Sequence, residues 1–240
     1  MIALDLGSLA PRTGRGVRVA VIDSGVHAAH PHIQGVAGGI GIDASGATHD
    51  DYVDRLGHGT AVTAVIREKA PAAEIFALKV FDRELRTTGD ALVAAIRWAR
   101  ENGARVANLS LGTTNLSHEN ALASEVQAAL SIGMLVVAAA PQPDTRWLPG
   151  ALPGAIAVDL DMSLPRDRFE VVMPNDQQLR VRASGYPRPI PGVPPERNLK
   201  GISFAVANAS GLLALVLEGV PPGTDIRAAL GRVSSTSPSG

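Results

Sequence analysis

From residue 17 nearly to its end the chain alternates short apolar runs with amphipathic stretches, and this alternation constrains the fold more than any other feature. Val17-Arg18-Val19-Ala20-Val21-Ile22 reads as a buried strand, and 74–80 as another. Residues 89–102 place apolar Ala91, Leu92, Ala95, Ile96 and Trp98 at three- and four-residue spacing, which predicts a helix stopped by Gly103. Further strands are expected at 106–111, 135–140 and 155–160, and helices at 120–132 and 225–233. The run 203–217 is apolar nearly all round, the pattern of a helix buried in the middle of a protein. Such βα alternation predicts an α/β fold with a doubly wound, mostly parallel sheet and helices on both faces. Hydrophobic residues make up 45% of the chain and aromatics only 3%, so the core must be built from Ala, Val, Leu and Ile, which suit strands covered on both sides. No internal repeat is present. The expected organisation is an N-terminal lead-in at 1–16, one domain at 17–233 and a flexible polar tail at 234–240.

Several function classes are excluded at this level. A formal net charge of -1 lacks the basic surface that nucleic acid demands, so no nucleic-acid partner is expected. No cysteine is present, which removes disulfides, thiolate chemistry and zinc held through sulfur. No apolar run approaches the roughly 18 residues of a membrane span, and the N-terminus shows no basic segment followed by an apolar one. Read as it stands, the chain is expected to be soluble, cytoplasmic and without a membrane partner. No G-x-G-x-x-G or P-loop follows a strand, which argues against a nucleotide-binding domain.

Three short segments carry the chemistry. In Val21-Ile22-Asp23-Ser24-Gly25 a carboxylate ends the first strand. In doubly wound sheets sites lie beyond the carboxyl ends of strands. Alone, Asp23 is equally a cap, a metal ligand or a phosphoacceptor. In Gly57-His58-Gly59-Thr60 the flanking glycines permit a tight bend that leaves the imidazole open on one side. A histidine alone is more often a packed or surface residue than a base. In Gly201-Ile202-Ser203-Phe204 a serine opens the buried helix, where it is either a simple N-cap or a nucleophile favoured by the helix dipole and its own backbone N–H. Together the three supply a nucleophile, a base and a carboxylate that orients the base.

In this order, Asp23, His58, Ser203, the motifs resemble those of the subtilisin family of serine peptidases. His30-Pro31, Ala77-Leu78-Lys79-Val80, Asn108-Leu109-Ser110-Leu111-Gly112, Val136-Val137-Ala138-Ala139-Ala140, Leu148-Pro149-Gly150 and Ala155-Ile156-Ala157-Val158 extend the likeness over almost the whole chain. The resemblance implies a serine endopeptidase acting on a peptide or protein substrate, with catalytic Asp23, His58 and Ser203 and no cofactor. It implies that substrate adds as a strand against Ser110, Leu111 and Gly112 on one side and Leu85, Arg86 and Thr87 on the other. It places Trp147 where the family has a glycine at the base of the pocket for the residue before the cut; the alternative is an outward-facing loop anchor.

The chain also departs from the family. Pro141-Gln142 stands where Gly-Asn is usual, so Gln142 and the Ser203 N–H are the expected oxyanion donors. Ile202 replaces a Thr, Ala207 a Pro and Ala61 a second His. Only Glu68-Lys69-Ala70-Pro71-Ala72-Ala73 joins the His58 helix to the next strand, leaving no room for the calcium loop found in many subtilisins. His27, His30 and His32 match no zinc spacing and are expected to form a surface turn, and Asp50, Asp51 and Asp54 a solvated acidic loop. No metal is expected. The rival reading is a degenerate member of the same fold that binds a peptide without cutting it. A small enzyme with an altered oxyanion motif suggests a dedicated role in processing one precursor.

Overall fold

The protein was analysed as a computed structural model, which describes residues 2–81, 84, 86–172 and 178–236. The chain enters with β1 (Ile2–Asp5) and β2 (Arg18–Asp23), then β3 (Gly38–Ile42) and the two-residue β4 (Thr48–His49). Helix α1 (His58–Lys69) leads to β5 (Glu74–Lys79), and α2 (Gly89–Glu101) to β6 (Val106–Leu109). Helix α3 (Glu119–Ser131) precedes β7 (Leu135–Ala139), followed by β8 (Ile156–Leu160), β9 (Arg168–Val172) and β10 (Arg180–Ala183). Helices α4 (Ile202–Leu217) and α5 (Ile226–Thr236) close the chain.

The strands form one sheet in the order β1-β9-β10-β8-β7-β6-β2-β5-β3-β4. Its centre is parallel, and only β9, with β1 and β10 beside it, and the β3–β4 pair run antiparallel. One face packs on α1, α4 and α5, with Val62, Val65 and Ile66 of α1 meeting the apolar length of α4. The other packs on α2 and α3 through Leu92, Ile96, Leu122 and Val126. Helix α4 is buried along almost its full length, as its all-round hydrophobicity predicts. Each fully buried Leu or Val contributes about 1.5–3 kcal/mol, so this helix is the largest single element of the core.

This topology fixes where a site can lie. From β2 the chain passes through β3, β4 and then α1 to β5 on one side of β2. From β6, the strand on the other side of β2, it passes through α3 to β7. The two connections leave on opposite faces, opening a crevice beyond the carboxyl ends of β2 and β6. Asp23 ends β2, and Ser110 follows β6.

The edges differ from expectation. Ile2–Asp5 is not a detached lead-in but a strand paired with β9, with Leu4 and Leu9 buried beneath it. Strands β3, β4, β9 and β10 carry too few residues, or too many glycines and charges, to show in a pattern. The C-terminal helix runs on to Thr236, and 237–240 lie outside the described residues.

A polar clasp ties the N-terminal segment to the end of α4. Arg12 donates to the carbonyls of Leu215 (3.2 Å), Val216 (3.2 Å) and Glu218 (2.8 Å), groups that a helix C-terminus leaves without intrahelical partners. The Glu218 carboxylate in return accepts from the backbone N–H groups of Thr13 (2.6 Å) and Gly14 (2.7 Å). Arg12→Ala is expected to lower stability by about 1–3 kcal/mol, because it removes the guanidinium donor from these carbonyls, of which Leu215 alone keeps the Glu218 N–H among the described residues. A melting temperature equal to the parent's would show the clasp to be neutral.

Candidate active site

Asp23 is fully buried at the end of β2. Its Oδ1 accepts from the Ser24 N–H at 2.7 Å and lies 2.7 Å from His58 Nδ1. A carboxylate can only accept, so His58 carries its proton on Nδ1 and presents Nε2 as a free acceptor. Asp23 Oδ2 is buried and has no donor among the described residues. Its charge is therefore left for the imidazole to balance.

His58 is the first residue of α1, and backbone geometry puts it there. Gly57 takes a left-handed φ of 81° that turns the chain into the helix. Gly59 packs so close that a Cβ on it would stand 2.2 Å from the Gly25 carbonyl oxygen, so only glycine lets α1 approach the end of β2. The same approach lets the Ser24 hydroxyl accept from the Gly59 N–H at 2.9 Å.

Asp54 locks this arrangement, and sequence reading missed it. Far from standing in a solvated acidic loop, its Oδ1 accepts from the Ser24 hydroxyl (2.9 Å) and from the N–H groups of Leu56 (2.9 Å) and Gly57 (2.8 Å). Its Oδ2 accepts from the Thr60 N–H (2.9 Å) and hydroxyl (2.6 Å). Burial pushes the Asp54 carboxyl up, but the bonds from Thr60, Leu56 and Ser24 outweigh it and hold the group below the usual range. The available signal was an Asp four residues ahead of a histidine that opens a helix. Asp51 likewise is tied down, to Arg55 at 2.7 Å and to the buried Lys79 at 3.0 Å.

Ser203 sits in the first turn of α4, after Gly201. The Phe204 ring beside it lies 6.1 Å from the His58 ring. The Ser203 hydroxyl donates to the Ser110 carbonyl at 3.2 Å, and the Ser110 hydroxyl donates to the Ser203 carbonyl at 3.2 Å. Asn108 Nδ2 donates to Ser110 Oγ at 3.0 Å, and Ser210 Oγ to Asn108 Oδ1 at 3.0 Å, so a buried polar chain runs from α4 through β6 and back. In this arrangement the Ser203 hydroxyl is turned to Ser110. Among the described residues the Ser203 N–H has no acceptor, which leaves it free for an oxyanion.

The other expected site residues lie in separate places, and Arg86 and Thr87 share no cavity with Leu111, Gly112, Gln142 or Trp147 among the described residues. Leu111 and Gly112 have no backbone hydrogen-bond partner among the described residues, the condition for pairing with an added strand. Arg86 and Thr87 line a depression of about 440 Å³ with Asp51 and Lys79, and Leu85 lies outside the described residues. Gln142 is exposed in a tight turn, its backbone bonded both ways to Thr145. Trp147 is half-buried and lies against Gly112, with an indole ring carbon 3.3 Å from where a Gly112 Cβ would stand. His27, His30 and His32 line a separate pocket beside α1. Among the described residues no three His, Cys, Asp or Glu side chains converge as a metal site.

Electrostatics act on the His58 imidazole. Burial lowers the affinity of the His58 imidazole for a proton, but the hydrogen bond and charge of Asp23, with the charge of Asp54, outweigh it and raise its pKa above the ordinary 6.5. Because the folded value is raised, the stabilisation from this pairing is complete below about pH 6.5 and is lost as pH rises through the folded pKa. An NMR titration of the His58 ring protons should therefore give a midpoint above 6.5, which Asp23→Asn brings down. A midpoint at or below 6.5 in the parent would contradict the geometry.

Comparison with known proteins agrees with this geometry. A profile of the subtilase family matches residues 14–158. The chain is 31% identical over 232 residues to a thermostable alkaline protease of Halalkalibacterium halodurans, spanning 88% of this chain and 60% of that protein. It is 31% identical over 231 residues to subtilisin DY of Bacillus licheniformis, spanning 87% of this chain and 79% of that one. Among solved structures it resembles a cold adapted subtilisin-like serine proteinase (TM-score 0.69, 21% identity, 94% of this chain and 84% of the other). It also resembles the protease domain of PatA (TM-score 0.66, 24% identity, 96% and 99%). A switch-point crevice holding a buried Asp–His pair and a serine at a helix N-terminus, joined to this likeness in sequence and fold, leads to one assignment: the chain belongs to the subtilase family of serine endopeptidases.

Proposed function

We propose that the chain hydrolyses peptide bonds through an acyl-enzyme on Ser203 and serves a dedicated processing role rather than general digestion. The observation that carries the chemistry is the 2.7 Å contact between buried Asp23 and His58, with Ser203 in the adjoining first turn of α4. Ser203 Oγ attacks the scissile carbonyl carbon while His58 Nε2 takes its proton. Asp23 stabilises the imidazolium that forms, and the Ser203 N–H faces the oxyanion. When the C–N bond breaks, His58 returns the proton to the leaving amine. Water then attacks the ester, gives one proton to His58, and Ser203 Oγ recovers it as the acid departs.

Selectivity supports the processing role. The indole of Trp147 lies against Gly112, on the segment that receives the residue before the bond. This contact favours pocket filling over outward anchoring. A filled pocket takes no added volume without strain, so small residues such as Gly, Ala and Ser precede the cut.

Labelling with a fluorophosphonate, followed by mass spectrometry, should place the adduct on Ser203 and lose it in His58→Ala. A folded protein that takes no label would instead be a peptide-binding member of the fold. In a peptide library, Trp147→Gly should raise kcat/KM for substrates with Leu, Phe or Tyr before the bond by about tenfold or more. A parent enzyme that already prefers those residues would overturn the filled pocket.

A further inference from the structure

A pocket of about 480 Å³ lies beside His58, and the reaction as written makes no use of it. Its floor includes Gly57, which precedes the imidazole, and Thr60 and Ala61 from the first turn of α1. Its rim carries Ile190 and Leu199, 48% and 62% exposed, the second lying four residues before Ser203. Neither Ser110, Leu111 nor Gly112 lines it. The acyl part of a substrate lies along that segment. The leaving amine takes its proton from His58. A pocket formed around the start of α1 therefore faces the part of the substrate beyond the scissile bond.

Its chemistry is one-sided. Arg188 and the imidazoles of His27, His30 and His32 line it. Arg188 is partly buried, and among the described residues its guanidinium has no carboxylate partner. The one carboxylate at the pocket, Asp54, is already occupied by donors from Ser24, Leu56, Gly57 and Thr60. Burial, and after it the charges of Arg188 and His30, hold the His32 imidazole below its usual pKa against the opposing charge of Glu68, a carboxylate already paired with Lys69 and Arg166.

The wall that carries Arg188 is anchored. Asn208 Nδ2, on buried α4, donates to the carbonyls of Ser184 at 2.8 Å and Tyr186 at 3.0 Å. Asn198 Nδ2 donates to the Arg188 carbonyl at 3.1 Å. These bonds fix the backbone from which the guanidinium reaches the pocket.

We infer that this pocket is a specificity site for an acidic side chain on the leaving side of the cleaved bond, with Arg188 receiving the carboxylate and Ala61, Ile190 and Leu199 its aliphatic stem. A glutamate fits this division between apolar wall and positive end. The inference rests on the peptidase reading, and its test separates the two.

Peptides with an amidated C-terminus, Ala before the bond and Glu, Gln or Lys scanned through the first three positions after it, are offered to the parent, Arg188→Gln and Arg188→Glu. At one of those positions the parent should cut the Glu peptide about tenfold faster in kcat/KM than the Gln peptide. Arg188→Gln should level the two, and Arg188→Glu should shift the preference to Lys, an inversion that a damaged fold cannot produce. The inference is overturned if Glu confers no advantage at any position. It is equally overturned if the advantage survives Arg188→Glu, or arises only in peptides with a free C-terminal carboxylate. If the parent cuts none of them, the peptidase reading is at fault, and the pocket is tested by binding. The Ser203→Ala protein should then bind a fluorescent Glu peptide about tenfold tighter than its Gln counterpart, and lose that margin when Arg188→Gln is added. Equal binding would overturn the pocket assignment on its own.

Discussion

The contact between a fully buried carboxylate and an imidazole at a helix start organises the functional end of this molecule. Burying Asp23 leaves one of its oxygens without a donor, a state that costs stability unless a nearby positive charge compensates. The structure resolves that cost by driving His58 against the other oxygen. Doing so requires α1 to begin almost in contact with the end of β2, which in turn requires glycine at 59 and the Asp54 clasp over Ser24 and Thr60. The parallel sheet and the buried length of α4 supply the apolar burial that makes such a charged junction tolerable. Stability and activity pull in opposite directions with pH here. The pairing is strongest when His58 is protonated, whereas catalysis needs it neutral.

The nucleophile is positioned differently. Nothing charged holds Ser203; the buried hydroxyl and amide chain through Ser110, Asn108 and Ser210 stitches the first turn of α4 to β6. His58 at the start of α1 and Ser203 in the first turn of α4 thus come from two helices packed on each other on one face of the sheet. On one side of this junction the indole of Trp147 lies against Gly112, and on another Arg188 lines the pocket at the start of α1.

Much of this could be read from the chain. Apolar runs separated by amphipathic periods disclosed the central strands and helices, because both faces of a parallel sheet must be covered. Asp23, His58 and Ser203 were legible because each sits in a short motif whose backbone demands, a strand end, a glycine bend and a helix start, are local. The marginal strands were not legible. Gly38–Ile42 is three glycines in five residues and Arg180–Ala183 alternates charge with apolar residues, so their pairing is decided by neighbours far away in sequence.

The sequence by itself determined the fold class and singled out Asp23, His58 and Ser203, since periodicity and motif act over a few residues. Only the tertiary structure decided what surrounds them. Asp54 became a clasp instead of a solvated charge because folding brought Ser24 and Thr60 within hydrogen-bond reach of it. Ile2–Asp5 became a sheet edge because β9 was there to pair with it. Arg188, Asp54 and three histidines became the walls of one pocket because α1 and the chain leading into α4 converge beside His58. Such partnerships form between segments that are distant along the chain, and only the folded packing brings them together.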